Sequence, residues 1–305
     1  MVNNREGVVR LSILETRNLT KYYGKARGIL DVSMSIDQGE IFGFIGPNGA
    51  GKSTTIRTLL GFLKPTGGSA SIFGMDCLTR NDEIKTDIGY VPSEVNYYDD
   101  MKVRDLLAYS AKFYKKDCKS RLNELCTIFE VETAKRVDSL SFGNKKKVAI
   151  VQALLHQPRL LILDEPTGGL DPLMQNRFFD VLHEEKSKGT TIFFSSHILS
   201  EVEKMCDRVA IIKEGKILKV ESIDKLRENK YKKLKLEHME GEGFDDLGLT
   251  GVTALTTKGR FTEFLYNGDI NAVISKLAQR RLENLWIEEL SLEEIFLNYY
   301  EREEK

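Results

Sequence analysis

Along the first 220 residues the spacing of hydrophobic positions switches repeatedly between two periods. Residues 12–18 and 30–37 alternate apolar and polar side chains, the period of half-buried strands, around a turn-rich stretch from Tyr22 to Gly28. Ile41, Phe42, Phe44 and Ile45 form a nearly continuous apolar run, which predicts a buried strand; glycines follow it, and Ser53–Leu63 has helical spacing. A short strand is predicted at Gly68–Phe73 and a strand end at Ile88–Pro92. Helical spacing at Val103–Phe113, Arg121–Phe129 and Gly143–His156 predicts a largely helical insert over about 95–155. The apolar segment Leu160–Leu163 then delivers Asp164 and Glu165. Residues 174–188 are helical in pattern, 190–194 a strand, Leu199–Cys206 a helix, and Val209–Lys213 with Lys216–Val220 a hairpin turning at Glu214-Gly215. Strands alternating with helices predict an α/β fold with a parallel sheet over residues 1–221.

Beyond about residue 222 the pattern changes. A short helix at Ser222–Asn229 precedes a basic run, Lys230–Lys235, in which Leu234 marks a solvated or edge strand. Strands at Leu234–Glu237, Gly251–Thr256 and Arg260–Tyr266 and helices at Asp269–Arg280 and Leu292–Tyr300 predict a small α+β domain over 222–305. Ser291 and Glu294 are spaced as a capping box for the last helix.

Composition narrows the classes. Forty-five basic against 46 acidic side chains leave a net charge of -1, which offers no whole-chain attraction for nucleic acid, so no nucleic-acid partner is expected. Cys77, Cys118, Cys126 and Cys206 are spaced neither as a metal quartet nor as a disulfide framework, which suits a reducing compartment. The start of the sequence is too polar for a signal-peptide core, and no apolar run is long enough to span a bilayer. Work at a membrane therefore requires another chain as anchor.

The candidate chemistry begins at Gly46–Thr54, which carries the GxxxxGK[ST] pattern between a strand and a helix. Asn48, Gly49, Ala50 and Gly51 turn the backbone N–H groups toward a phosphate, Lys52 reaches β- and γ-phosphates, and Ser53 beside Thr54 offers a hydroxyl for Mg²⁺. Asp164 and Glu165, at the exit of a buried strand, supply a second Mg²⁺ ligand and a proton acceptor for an attacking water.

Together with Leu140-Ser141-Phe142-Gly143-Asn144, Gly169-Leu170-Asp171 and His197, in that order, these motifs resemble the ATP-binding cassette ATPases, most nearly the ATP-binding subunits of bacterial drug, antibiotic and sodium exporters. The likeness covers about 12–221, and Leu285–Tyr300 resembles the carboxy-terminal extension of that exporter group. It implies a P-loop NTPase fold with a helical subdomain, ATP and Mg²⁺ as cofactors, and hydrolysis by Lys52, Glu165 and His197. Tyr23 matches the aromatic that stacks on adenine, with Tyr22 as a competing choice. Ser141, Gly143 and Asn144 match the residues that close over the γ-phosphate held by the opposite subunit, and Asp171 matches the residue communicating between the two sites. The implied assembly is a head-to-tail homodimer driving separate transmembrane permease subunits from the cytoplasmic face, with residues 93–110 toward the permease. Alternatives are a soluble cassette ATPase without a transport role and a catalytically weak regulatory subunit. The sequence departs from the family at Phe142 and Asn144, and at Ser93 and Glu94, where the family usually places a glutamine after the strand end. Lys145, Lys146 and Lys147 read as a solvated helix face. Nothing in the sequence specifies a transported substrate.

Overall fold

Two kinds of strand build the first part of the chain. The computed structural model describes residues 11–97, 100–227, 231–239, 248–290 and 294, and the chain divides into two compact units, Met1–Ile223 and Asp224–Lys305. In order, the first unit contains β1 (Ser12–Tyr23), β2 (Ala26–Asp37), β3 (Ile41–Ile45), α1 (Lys52–Leu59), β4 (Gly67–Ile72), β5 (Met75–Asp76), α2 (Asn81–Lys85) and β6 (Ile88–Val91). It continues with α3 (Val103–Ala111), α4 (Lys119–Ile128), α5 (Phe142–Leu154), β7 (Leu160–Asp164), α6 (Pro172–Ser187), β8 (Thr191–Ser196), α7 (Leu199–Met205), β9 (Arg208–Lys213) and β10 (Lys216–Ser222).

The larger sheet runs β10-β9-β3-β8-β7-β6, parallel except for β10 at its edge. All five residues of β3 are buried, as an interior parallel strand requires. The alternating strands β1, β2 and β4 do not belong to this sheet. With β5 they form a separate antiparallel sheet, β2-β1-β4-β5, because the 22–28 stretch is a hairpin tip pairing Tyr23 with Ala26. Period two marks a strand with one wet face but does not name its neighbour. Leu14, Ile29 and Ile72 of this sheet, Ile56 and Leu59 of α1, and Phe42, Phe44 and Phe193 of the parallel sheet share one core. Each such side chain contributes about 1.5–3 kcal/mol of burial. That core fixes α1 against β3 and so fixes the loop between them.

Helices α3, α4 and α5 follow β6 and form the helical segment. Arg121 of α4 reaches across to α6, its guanidinium 2.6 Å from Glu185, and both side chains are buried. Tyr114 stacks on His156 with ring centroids 3.8 Å apart. Among the described residues no helix is long and apolar enough to cross a membrane.

Helix α8 (Ile223–Arg227) begins at the boundary between the units. The second unit contains β11 (Lys232–His238), β12 (Val252–Lys258), β13 (Phe261–Tyr266), α9 (Ile270–Leu277) and β14 (Leu282–Glu289), with sheet order β12-β13-β11-β14. Leu234, Leu236, Phe264 and Tyr266 pack with Val273 and Leu277 of α9. The basic run therefore lies on an interior strand of this sheet, not an edge. Three of its lysines lie on β11 and are partnered: Lys232 with Glu289, Lys233 with Glu294 and Lys235 with Glu263. Strand β14 is not among the strands that the sequence pattern named. The expected helix Leu292–Tyr300 and its Ser291 cap lie outside the described residues, Glu294 excepted.

Candidate functional site

Strand β3 ends at Ile45, and the chain turns through Gly49 (φ 79°) and Gly51 (φ 110°) before α1 begins at Lys52. Gly51 takes a conformation that side chains rarely adopt, and an added Cβ would stand 2.8 Å from Ile29 Cγ2. Only glycine lets the loop lie this close to β2. The Lys52 ammonium is buried and donates to the carbonyl oxygens of Gly46 at 2.8 Å and Pro47 at 3.3 Å. It also meets Oε1 of Glu165 at 3.1 Å.

Glu165 follows β7 directly. Its backbone is left-handed at φ 48°, and its N–H reaches Ser195 O at 3.1 Å and Ser195 Oγ at 3.3 Å. His197, just past β8, brings Nδ1 to 3.3 Å from Oε2 of Glu165. Burial works to raise the Glu165 pKa, and the Lys52 ammonium with the His197 ring outweighs it, leaving the carboxyl below its ordinary value. Glu165 is therefore an ionised carboxylate at neutral pH, gripped from both sides.

Asp164 is fully buried. Ser195 Oγ donates to its Oδ1 at 2.8 Å, while Oδ2 has no hydrogen-bond partner among the described residues. An orphaned carboxylate oxygen in a buried position costs free energy unless a cation or donor meets it. A free carboxylate oxygen here and the hydroxyl that Ser53 offers after Lys52 in the phosphate loop are hard oxygen donors of the kind Mg²⁺ takes.

Tyr23, Asn48, Gly49, Gly51, Lys52, Ser53, Thr54 and Glu165 line one cavity of about 240 Å³. Tyr22 is not among its lining residues, and the Tyr23 hydroxyl lies 3.4 Å from Thr54 Oγ1. Ala50 is buried, and its carbonyl accepts the Gly215 N–H at 2.8 Å. Ser53 and Glu165 also line a second cavity of about 420 Å³, with Ser93, Glu94, Phe142, Gly169 and His197.

Ser141, Asn144 and Asp171 do not join the phosphate-loop cavity of their own chain. Ser141 Oγ accepts the Asn144 N–H at 3.3 Å and caps α5, and Asp171 Oδ1 accepts the Met174 N–H at 2.9 Å and caps α6. Gly143 lies against the Gly169 carbonyl so closely that an added Cβ would stand 2.3 Å from it.

Three residues at the site had no functional role in the sequence pattern. Ser195 holds Asp164 and the Glu165 amide together. Arg27 lines the cavity beside Tyr23 and pairs with Glu214 at 2.8 Å. Lys146, expected on a solvated helix face, is instead fully buried. Burial lowers its pKa, and Asp164 and Glu165 oppose the shift. One of three consecutive lysines must face inward at this phase of α5, a signal present in the helical period but masked by the uniform charge of the run.

Residues 29–168 match the protein-family model described as ABC transporter. The bacitracin transport ATP-binding protein BcrA of Bacillus licheniformis is 41% identical over 229 residues, which cover 74% of this chain and 75% of that protein. The linearmycin resistance ATP-binding protein LnrL of Bacillus subtilis is 35% identical over 213 residues, 68% of each. A solved structure of an ATP-binding subunit of an ABC transporter superposes with a TM-score of 0.68 at 33% identity, covering 71% of this chain and 92% of that one.

Proposed function

Because this chain belongs to the ABC transporter family, as an ATP-binding and ATP-hydrolysing subunit, we propose that it powers an exporter by closing head to tail on a second copy of itself beneath separate transmembrane subunits. The observation carrying this reading is the convergence of Lys52, Glu165 and His197 at the exits of β3, β7 and β8. Lys52 and the loop amides stabilise charge developing on the γ-phosphate, Glu165 accepts the proton of the attacking water, and His197 orients both. Tyr23 stacks on the base. Ser53 and Asp164 would hold Mg²⁺, which when bound would supply positive charge for the phosphates. Ser141, Gly143 and Asn144 serve the site of the opposite subunit, and their absence from the cavity of their own chain supports that assignment. Asp171 communicates between the two sites.

The permease-facing surface in this reading is formed by residues 93–110, of which Ser110 lines a groove of about 330 Å³ together with Phe62, Tyr90 and Phe113. Of the sequence segment expected there, Tyr98 and Asp99 lie outside the described residues. Residues 1–221 act as the ATP-binding domain, with its helical insert at about 95–155, and 222–305 as an accessory domain that steadies the dimer. The site of work is the cytoplasmic face of the membrane, reached through the transmembrane partner. The relatives named for bacitracin transport and linearmycin resistance support a role in antibiotic export.

The test is copurification. The tagged chain, recovered from detergent-solubilised membranes of its native host, should bring an integral membrane protein with it and release phosphate from ATP. Recovery only from the soluble fraction, with no integral membrane protein attached, defeats the transport reading.

A further inference from the structure

The most constrained buried charge outside the residues assigned above is Lys146. Its ammonium donates to the carbonyl oxygens of Pro92 at 2.8 Å and Ser93 at 2.7 Å, and reaches that of Glu165 at 3.5 Å. An ammonium has three N–H donors, and three backbone carbonyls occupy them. Phe142 lies alongside, its ring centroid 5.6 Å from the same nitrogen. Burying a lone ammonium is expensive unless it is fully hydrogen-bonded, so this lysine is held in one geometry and holds its partners in turn.

Those partners belong to two segments far apart in sequence. Pro92 and Ser93 open the loop after β6, and Glu165 opens the turn after β7. The left-handed backbone at Glu165 is disfavoured for a residue with a side chain and persists only where its surroundings over-determine it. Ser195 fixes the N–H side of that residue, and Lys146 meets the carbonyl side. The backbone carbonyl of Ser93 shares this ammonium with the carbonyl of Glu165.

We propose that Lys146 is a positioning residue for hydrolysis: it clamps the loop after β6 to the catalytic turn and so sets the aim of the Glu165 carboxylate. This deepens the ATPase reading and rests on it. A misplacement of about 1 Å at a catalytic group costs up to roughly 100-fold in rate, so loosening the clamp acts on turnover before it acts on affinity.

The experiment uses the complex purified with its membrane subunits and compares the parent with Lys146→Met, Lys146→Arg and Glu165→Gln. Phosphate release at saturating Mg-ATP gives kcat, a fluorescent ATP analogue gives Kd, and thermal unfolding gives Tm. Lys146→Met should lose about tenfold or more in kcat with Kd within about threefold of the parent, and Lys146→Arg should recover most of the loss. A parental kcat in Lys146→Met overturns the proposal. So does a Kd weakened in proportion to kcat, or a Lys146→Arg protein of parental Tm that is as slow as Lys146→Met. If Lys146→Met fails to fold, Lys146→Gln, which keeps two neutral N–H donors, is judged by the same criteria. A parent no faster than Glu165→Gln sinks the ATPase reading and this proposal together, whereas a fast parent matched by Lys146→Met sinks this proposal alone.

Discussion

The Lys52 ammonium stands 3.1 Å from Oε1 of Glu165, with the Gly46 and Pro47 carbonyls as its other acceptors at 2.8 and 3.3 Å. A phosphate arriving at Lys52 must share or displace that carboxylate. A phosphate and the Glu165 carboxylate would thus compete for one ammonium in a buried place, where pairing is stronger than at the surface.

Glu165→Gln removes both the proton acceptor and the competing charge. Hydrolysis should slow by at least about 100-fold while nucleotide affinity stays equal or tightens, and the ATP-bound dimer should accumulate. Phosphate release and equilibrium titration check the two effects separately; parental turnover in the variant rules out Glu165 as the base.

Lys52→Ala and Ser141→Arg should fail in different ways. The first should abolish tight Mg-ATP binding. The second should bind normally as a monomer and fail to dimerise, since Ser141 is absent from the cavity of its own chain. Titration with light scattering distinguishes them, and a monomeric Ser141→Arg that binds as poorly as Lys52→Ala refutes the assignment to the opposite site.

His156 should give the protein an acid-sensitive step. Its ring is buried, Nε2 lies 3.2 Å from the Ile88 carbonyl, and Nδ1 has no partner among the described residues. Burial is the main cause that lowers its pKa to about 4. The folded value lies below the unfolded 6.5, so the unfolded chain binds the proton first; stability is complete above about pH 6.5 and falls as the pH drops toward 4. The loss is on the order of 3 kcal/mol, at about 1.4 kcal/mol per pKa unit. Urea midpoints at pH 7.5 and 5 should differ less in His156→Gln than in the parent. An equal difference in both proteins excludes His156 as the source.

The buried pair Arg121–Glu185 should be costly to break and inexpensive to remove whole. Arg121→Met leaves Glu185 with Lys188, 3.1 Å away, and should destabilise by about 3 kcal/mol. Adding Glu185→Met should restore much of that in urea unfolding. Additive losses would count against a buried-charge penalty.

Much of the site is legible in sequence because Gly46–Thr54 is local: loop, lysine and hydroxyl stand within one turn of chain, and the apolar run of β7 announces Asp164 and Glu165. Contacts made between segments are less legible. Nothing in Lys145-Lys146-Lys147 says that the middle ammonium meets Pro92 and Ser93. The Phe142 ring lies so near Gly169 that a Cβ there would stand 2.3 Å from Cδ1, a fit that depends on how α5 and the loop before α6 meet. The strands β1, β2 and β4 were visible as strands, while their separation into a second sheet follows from pairing that alternation does not encode. Strand β5 and helix α2 are too short to impose a period at all.

Strand β3 takes both of its hydrogen-bonded neighbours, β8 and β9, from the far end of the first unit, and the Ala50 carbonyl in the phosphate loop accepts the N–H of Gly215. During synthesis the segment that cradles phosphate therefore emerges early and waits, with both sides of its strand unpaired, until residues near 215 have left the ribosome. Such long-range closure is slow and leaves an apolar strand open to wrong partners meanwhile. A nascent chain stalled before β8 would carry the entire phosphate-binding motif and still lack the scaffold that shapes it.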